Sequence, residues 1–239
     1  MSGPGLGRFD PPAGYSRIRV VASFEALVAV PFRDGCNAVC WPRALPGDFD
    51  EVVRHLAPGE GLTTLAAARL RALPVGSAGR AAIDTLLGDQ QLLRSIGHAP
   101  VLECVRSYER DSGPVPTDVY SFHVDRATAP TDTYLCTYTG PPSEGLRNDE
   151  ARRCIDVPTV RAQLLAQFGG RDGPEFAAHL TENCLDLHYR ALPTARPFSF
   201  GTGNLWRLAV EHPGSVVPAC IHRAPAPDAG HTPRLLLIS

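Results

Sequence analysis

Two segments of the chain carry residue types that together could hold a metal ion. Phe122-His123-Val124-Asp125 closes a stretch of strand-like alternation. Side chains two apart on a strand share a face, so His123 and Asp125 would offer an imidazole nitrogen and a carboxylate oxygen to adjacent corners of one ion. Alone, the H-x-D pattern reads as a surface histidine beside a solvated aspartate, since the chain has eight histidines. A second histidine, His222, closes the apolar run that starts at Val216. Two histidines and one carboxylate make the facial triad of non-haem Fe(II) sites, which leaves three adjacent positions open for co-substrate and O2. Arg234 follows twelve residues after His222 and opens the strand-like run Leu235 to Ile238. Its planar guanidinium suits two-point pairing with a carboxylate. The order H-x-D, distal histidine, arginine is far more specific than any of its parts.

The elements that must position these residues divide the chain near Pro100. Before it, Ser16 to Val30 reads as a strand, or a strand followed by a helical turn. Asp48 to Leu56, Leu62 to Leu73 and Ser77 to Ile96 have helical spacing, the last with Ser77 as N-cap. After it, Val101 to Tyr108, Asp118 to Val124 and Thr133 to Thr139 alternate as strands. Helical spacing returns over Ala151 to Phe168 and Ala177 to Leu187. Three further strands are expected at Leu205 to Val210, Ser215 to His222 and Arg234 to Ile238. The expected fold class is therefore α+β, a jelly-roll or cupin-like core with helices packed outside and a helical N-terminal third. Residues 1–15 are expected to be a flexible lead. Residues 16–239 are expected to form one catalytic domain, with a mainly helical section 16–99 and a β core 100–239 interrupted by a helical insertion 151–187.

Composition narrows the partners. A net charge of −2 and the absence of a basic run argue against nucleic acid. No apolar run is long enough to span a bilayer, and the Gly/Pro-rich start does not read as a signal peptide, so a cytoplasmic location and a small-molecule substrate are expected. The seven cysteines are odd in number, scattered and without a C-x-x-C pair, which favours reduced structural thiols. The 22 glycines and 23 prolines are spread along the chain and punctuate many short elements. Low methionine with abundant Ala, Arg and Pro suggests a bacterial source.

The sequence resembles a family of bacterial proteins of unknown function, the DUF1826 type. The resemblance rests on Cys36-Asn37-Ala38-Val39-Cys40-Trp41-Pro42-Arg43, on Phe122-His123-Val124-Asp125, on the run from Leu135 to Glu144, and on Ile221-His222-Arg223-Ala224-Pro225. More broadly, the ligand order resembles the Fe(II)/2-oxoglutarate-dependent oxygenase superfamily. That resemblance implies a double-stranded β-helix, with His123, Asp125 and His222 as iron ligands and Arg234 as the anchor of 2-oxoglutarate. Related halogenases replace the carboxylate with a small residue, so Asp125 implies a hydroxylase-type dioxygenase acting on a small or amino-acid-like substrate. Arg223 is a competing guanidinium, but strand alternation turns it away from the metal. Two other readings keep the triad: a cupin-like metalloenzyme without 2-oxoglutarate, and a non-catalytic metal-binding or sensing protein.

Secondary candidates surround these. A hydroxyl from Thr137 or Tyr138 would complement Arg234 in holding a co-substrate carboxylate, whereas Tyr134 reads as core. Trp41 and Trp206 either line a pocket or pack. His231 is a second-shell candidate that reads more simply as an exposed loop residue. His179 and His188 flank Cys184, with Glu182 and Asp186 among them, and are expected on a solvated helix end. No G-x-S-x-G elbow supports a serine hydrolase, and Gly201-Thr202-Gly203-Asn204 lacks the pattern of a phosphate loop.

Overall fold

A computed structural model describes residues 8–226 and 233–239. In chain order the elements are β1 (Ile18–Val20), α1 (Phe24–Ala29), β2 (Ala38–Trp41), α2 (Phe49–Leu56), β3 (Leu62–Thr64), α3 (Ala67–Arg71), α4 (Ser77–Ser95) and β4 (Val101–Val105). There follow β5 (Phe122–His123), β6 (Asp132–Thr139), β7 (Glu144–Leu146), β8 (Ala151–Arg153), α5 (Pro158–Phe168), α6 (Pro174–Glu182) and β9 (His188–Ala191). The chain ends with β10 (Phe198–Ser199), β11 (Leu205–Ala209), β12 (Ile221–Arg223) and β13 (Arg234–Ile238).

The strands form two sheets, in the orders β1-β2-β11-β6-β13-β4-β3 and β10-β7-β12-β5-β9-β8. Most pairings are antiparallel. Four of them nest: β4 with β13, β5 with β12, β6 with β11, and β7 with β10. The chain thus folds back on itself as one long hairpin whose successive rungs alternate between the sheets. Between β7 and β10 the insertion carries α5 and α6, and it returns as β9 to pair with β5 on the side away from β12.

Alternation along the strands assigns their faces. On β6, Leu135 enters a cluster with Val105, Trp206, Leu208 and Leu236 between the sheets. Tyr134, Cys136 and Tyr138 point the other way, into the larger cluster beneath α1 to α4. α2 begins where Asp48 accepts the Glu51 N–H at 2.8 Å, and it buries Phe49, Val52, Val53 and Leu56 on one face. α4 buries Ala82, Ile83, Leu86 and Leu93 against the same sheet.

The mixed α+β architecture agrees with the expectation, but several elements differ. The N-terminal third is not simply helical, because it supplies β1, β2 and β3 to the larger sheet. Leu62 to Leu73 splits: the β-branched pair Thr63-Thr64 pairs with β4, and the helix starts only at Ala67. Ala151 to Phe168 splits likewise, with β8 first and a helix opening at Pro158, whose fixed φ suits a first turn. Ser77 lies inside α4, and Gly76 caps it while giving its N–H to Glu51. Of Asp118 to Val124 only Phe122 and His123 form a strand, since Asp118 turns the chain by accepting the Tyr120 N–H. Residues 1–7 of the expected flexible lead lie outside the described residues. Further along it, Phe9 packs edge-on to Trp206 and the Tyr15 hydroxyl donates to Asn148.

Candidate metal centre

His123 and His222 face each other directly across the β5–β12 pair. Residues in register on adjacent strands project from the same face, and here that face looks between the sheets. Their rings lie 4.7 Å apart between centroids. Asp125 follows two residues after His123, and its carboxylate lies 4.0 Å from His123 Nε2 and 3.8 Å from His222 Nε2. One donor atom from each of the three lies within 4.8 Å of the others.

The hydrogen bonds behind these residues fix which atoms face the centre. His123 Nδ1 is 2.8 Å from the Ser121 carbonyl, and His222 Nδ1 is 3.2 Å from the Cys220 carbonyl. A carbonyl only accepts, so each Nδ1 carries a proton and each Nε2 is the nitrogen turned toward the centre. Thr133 on β6 donates its hydroxyl to Asp125 Oδ2, and Oδ1 has no hydrogen-bond partner among the described residues. Such outer bonds orient the ligands of a metal centre. Burial pulls the His123 pKa down to about 4, helped by the adjacent His222. Burial alone would raise the Asp125 pKa, but His222, the Thr133 hydroxyl and His123 together hold it below the usual carboxylate value. Near pH 7 the set is a neutral imidazole at His123 and a carboxylate at Asp125, the protonation states a divalent cation requires. Two nitrogens and one oxygen suit Fe(II) or a similar first-row ion.

Arg234 opens β13 and is buried, at 7% exposure. Its Nε donates to the Pro141 carbonyl at 2.8 Å and its Nη2 to the Ser143 hydroxyl at 2.9 Å, with Thr137 Oγ1 at 3.5 Å. None of its described ion-pair or hydrogen-bond partners is a carboxylate. Burial lowers its pKa, with Tyr108 and Tyr120 opposing. The close approach that seats it depends on Gly140, whose φ is +78° and where a Cβ would stand 2.9 Å from the Arg234 Cα. Arg223 instead pairs with Glu144 at 2.7 Å and lies over the Phe122 ring, so it is engaged away from the triad.

Of the hydroxyl candidates, Thr137 reaches Arg234, but Tyr138 does not. Tyr138 projects from the opposite face of β6, where its hydroxyl donates to Asp89 at 2.7 Å and its ring stacks on Phe49. Adjacent positions on one strand cannot share a face, so only one of the pair could reach the site. Tyr134 is core beside His98, and Trp41 lies near Phe24 under the helices. Trp206 stacks on Phe200 between the sheets. His231 lies outside the described residues.

His188 is the main correction. It opens β9 directly opposite His123, is 5% exposed, and does not lie on a solvated helix end. Cys184, four residues earlier, is exposed, and His179 lies on α6 with Asn183 bonded to it. Sequence spacing missed Ser121, Thr133, Ser143 and Tyr108 because each acts through a pairing set by the sheets. The apolar spacing around His188 is too short to distinguish a strand from a helix end.

No protein-family model, curated protein or solved structure matches the chain. The described cysteines are free, and six of the seven are buried. Among the described residues no helix is long and apolar enough to cross a membrane.

Proposed function

We propose that the protein is a non-haem Fe(II)/2-oxoglutarate-dependent oxygenase that hydroxylates or otherwise oxidises a small or amino-acid-like substrate. The observation that carries this reading is the buried Arg234 guanidinium, which lacks a carboxylate partner among the described residues and lies in the same fold as the triad. A buried cation without a counter-charge costs several kcal/mol unless an anion joins it. An incoming dicarboxylate would supply that charge.

The nested pairing of β4 to β7 with β10 to β13 supports a double-stranded β-helix, the jelly-roll arrangement that the ligand order implies. In this reading His123, Asp125 and His222 would hold the iron. When bound, iron with 2-oxoglutarate supplies O2 activation coupled to oxidative decarboxylation. The chain itself does the rest. Ser121, Cys220 and Thr133 hold the three ligands in orientation. Arg234, with Ser143 and Thr137 beside it, would hold the far carboxylate of the co-substrate. Asp125 keeps its carboxylate in the triad, which supports hydroxylation over halogenation.

The test is 2-oxoglutarate affinity in the wild type and in Arg234→Met. Loss of a charge-assisted two-point contact should weaken binding by roughly 100-fold, with divalent-metal affinity retained. Unchanged 2-oxoglutarate affinity in Arg234→Met would remove the co-substrate and leave a cupin-like metalloprotein.

A further inference from the structure

The six-stranded sheet carries three imidazoles in one row. His222 on β12 faces His123 on β5, and His123 faces His188 on β9. Cross-strand partners share a face, so all three look between the sheets. The ring centroids step by 4.7 Å and then 5.7 Å along the row. The wider second step leaves His188 out of the group that can share one ion with Asp125.

The row also shares an orientation. Ser121 Oγ lies 2.9 Å and 2.8 Å from the Pro116 and Asp118 carbonyls, which only accept, so the hydroxyl proton goes to them. Ser121 Oγ therefore accepts from His188 Nδ1 at 2.6 Å. Ser121 thus anchors two rings, His123 through its carbonyl and His188 through its hydroxyl. The neutral His188 ring is left with a lone pair on Nε2, which has no hydrogen-bond partner among the described residues.

His188 lines a cavity of about 730 Å³ together with His123, Asp125, Arg126, Thr181 and Cys184. The charged groups of its wall are already engaged. Arg126 holds Asp186 with both nitrogens and Glu211 at 2.8 Å. Asp118 accepts the N–H groups of Tyr120 and Asp111. A carboxylate or phosphate entering this cavity meets no unpaired cation among the described residues, whereas an O–H or N–H donor meets the His188 lone pair. The triad strands β12 and β5 lie between β7, which Ser143 precedes on the Arg234 side, and β9, which carries His188.

We propose that this cavity is the substrate subsite, that it takes a small neutral molecule bearing a hydroxyl or amide donor, and that His188 Nε2 accepts that donor and orients the molecule toward the triad. The proposal deepens the function given above and rests on it for the direction in which the substrate must lie. It also makes the insertion carrying Thr181, Cys184 and His188 the element that sets specificity.

The test is long-range ¹H–¹⁵N NMR of the histidine rings in the full chain, with Zn(II) as a redox-inert ion. On Zn(II) addition the Nε2 signals of His123 and His222 should move to the coordinated range. His188 should keep a protonated Nδ1 and a bare Nε2. Adding 1,2-propanediol should then shift His188 Nε2, and propionate should not. In His188→Leu the diol should bind about tenfold more weakly, as loss of one hydrogen bond implies, and His188→Gln, which keeps an acceptor oxygen, should recover part of that loss. Coordination of Zn(II) by His188, a protonated Nε2, or a diol that leaves His188 unmoved would each overturn the proposal. If Zn(II) moves neither His123 nor His222, the metal centre itself fails, a result distinguishable from failure at His188.

Discussion

Two of the places where the protein buries charged and polar groups lie on opposite faces of the larger sheet, and they are treated differently. Under the helices, Arg43 pairs with Asp89 at 2.6 Å and gives its other nitrogens to the Gly203 carbonyl and the Cys136 sulfur. The second Asp89 oxygen accepts the Tyr138 hydroxyl. That cluster is closed, with each charge answered inside the chain. Between the sheets, Nε2 of His123 and of His222, one oxygen of Asp125 and the charge of Arg234 are held in place from behind and, among the described residues, left unanswered in front. Closed networks lock a fold together, while open ones mark candidate ligand sites. The two regions share residue types, so composition does not separate them; only completeness of pairing does.

Breaking the closed cluster should have the largest effect on stability. Asp89→Ala strands a buried guanidinium and should cost about 3–5 kcal/mol in urea unfolding, with metal affinity unchanged. A parallel loss of metal binding in the folded variant would show that the two regions are coupled. Thr133→Val touches only the open cluster. It should weaken metal binding by about 10- to 100-fold, the range for an outer hydrogen bond to a ligand, and should change the unfolding midpoint little.

How much of this could be read from the chain depends on the residue. His123, Asp125, His222 and Arg234 were legible because strand periodicity and order along the chain constrain them. Thr137 and Tyr138 were not separable, since alternation says that they point apart but not which faces the triad. In the N-terminal third, β1 and α1 fall within the strand-then-turn expected over Ser16 to Val30, whereas β2 and β3 were hidden by their shortness and by pairings with strands far along the chain, as when β2 pairs with β11. His188 was illegible for a related reason: its meaning comes from the register of β9 on β5, a contact between residues separated by the turn, the nested strands and two helices.

Tyr138→Phe sharpens the comparison at smaller scale. Removing one partner of Asp89 should cost about 1–2 kcal/mol of stability and leave 2-oxoglutarate affinity unaltered. A large fall in that affinity would return Tyr138 to the site. The remaining effect concerns pH. The folded pKa of His123, about 4, lies below its ordinary 6.5, so the unfolded chain takes up the proton first as pH falls. The stability linked to His123 is therefore intact above pH 6.5 and is lost progressively toward pH 4. The urea midpoint of the metal-free protein should show this fall, and His123→Gln should flatten it. An equal fall in both proteins would assign it to other groups.

The most direct test of the central claim is an anaerobic Fe(II) titration followed in the visible spectrum, with and without 2-oxoglutarate. The expected result is a metal-to-ligand charge-transfer band that requires both components, saturates at one iron per chain, and is absent in His222→Ala. No band with both components at saturation would contradict it.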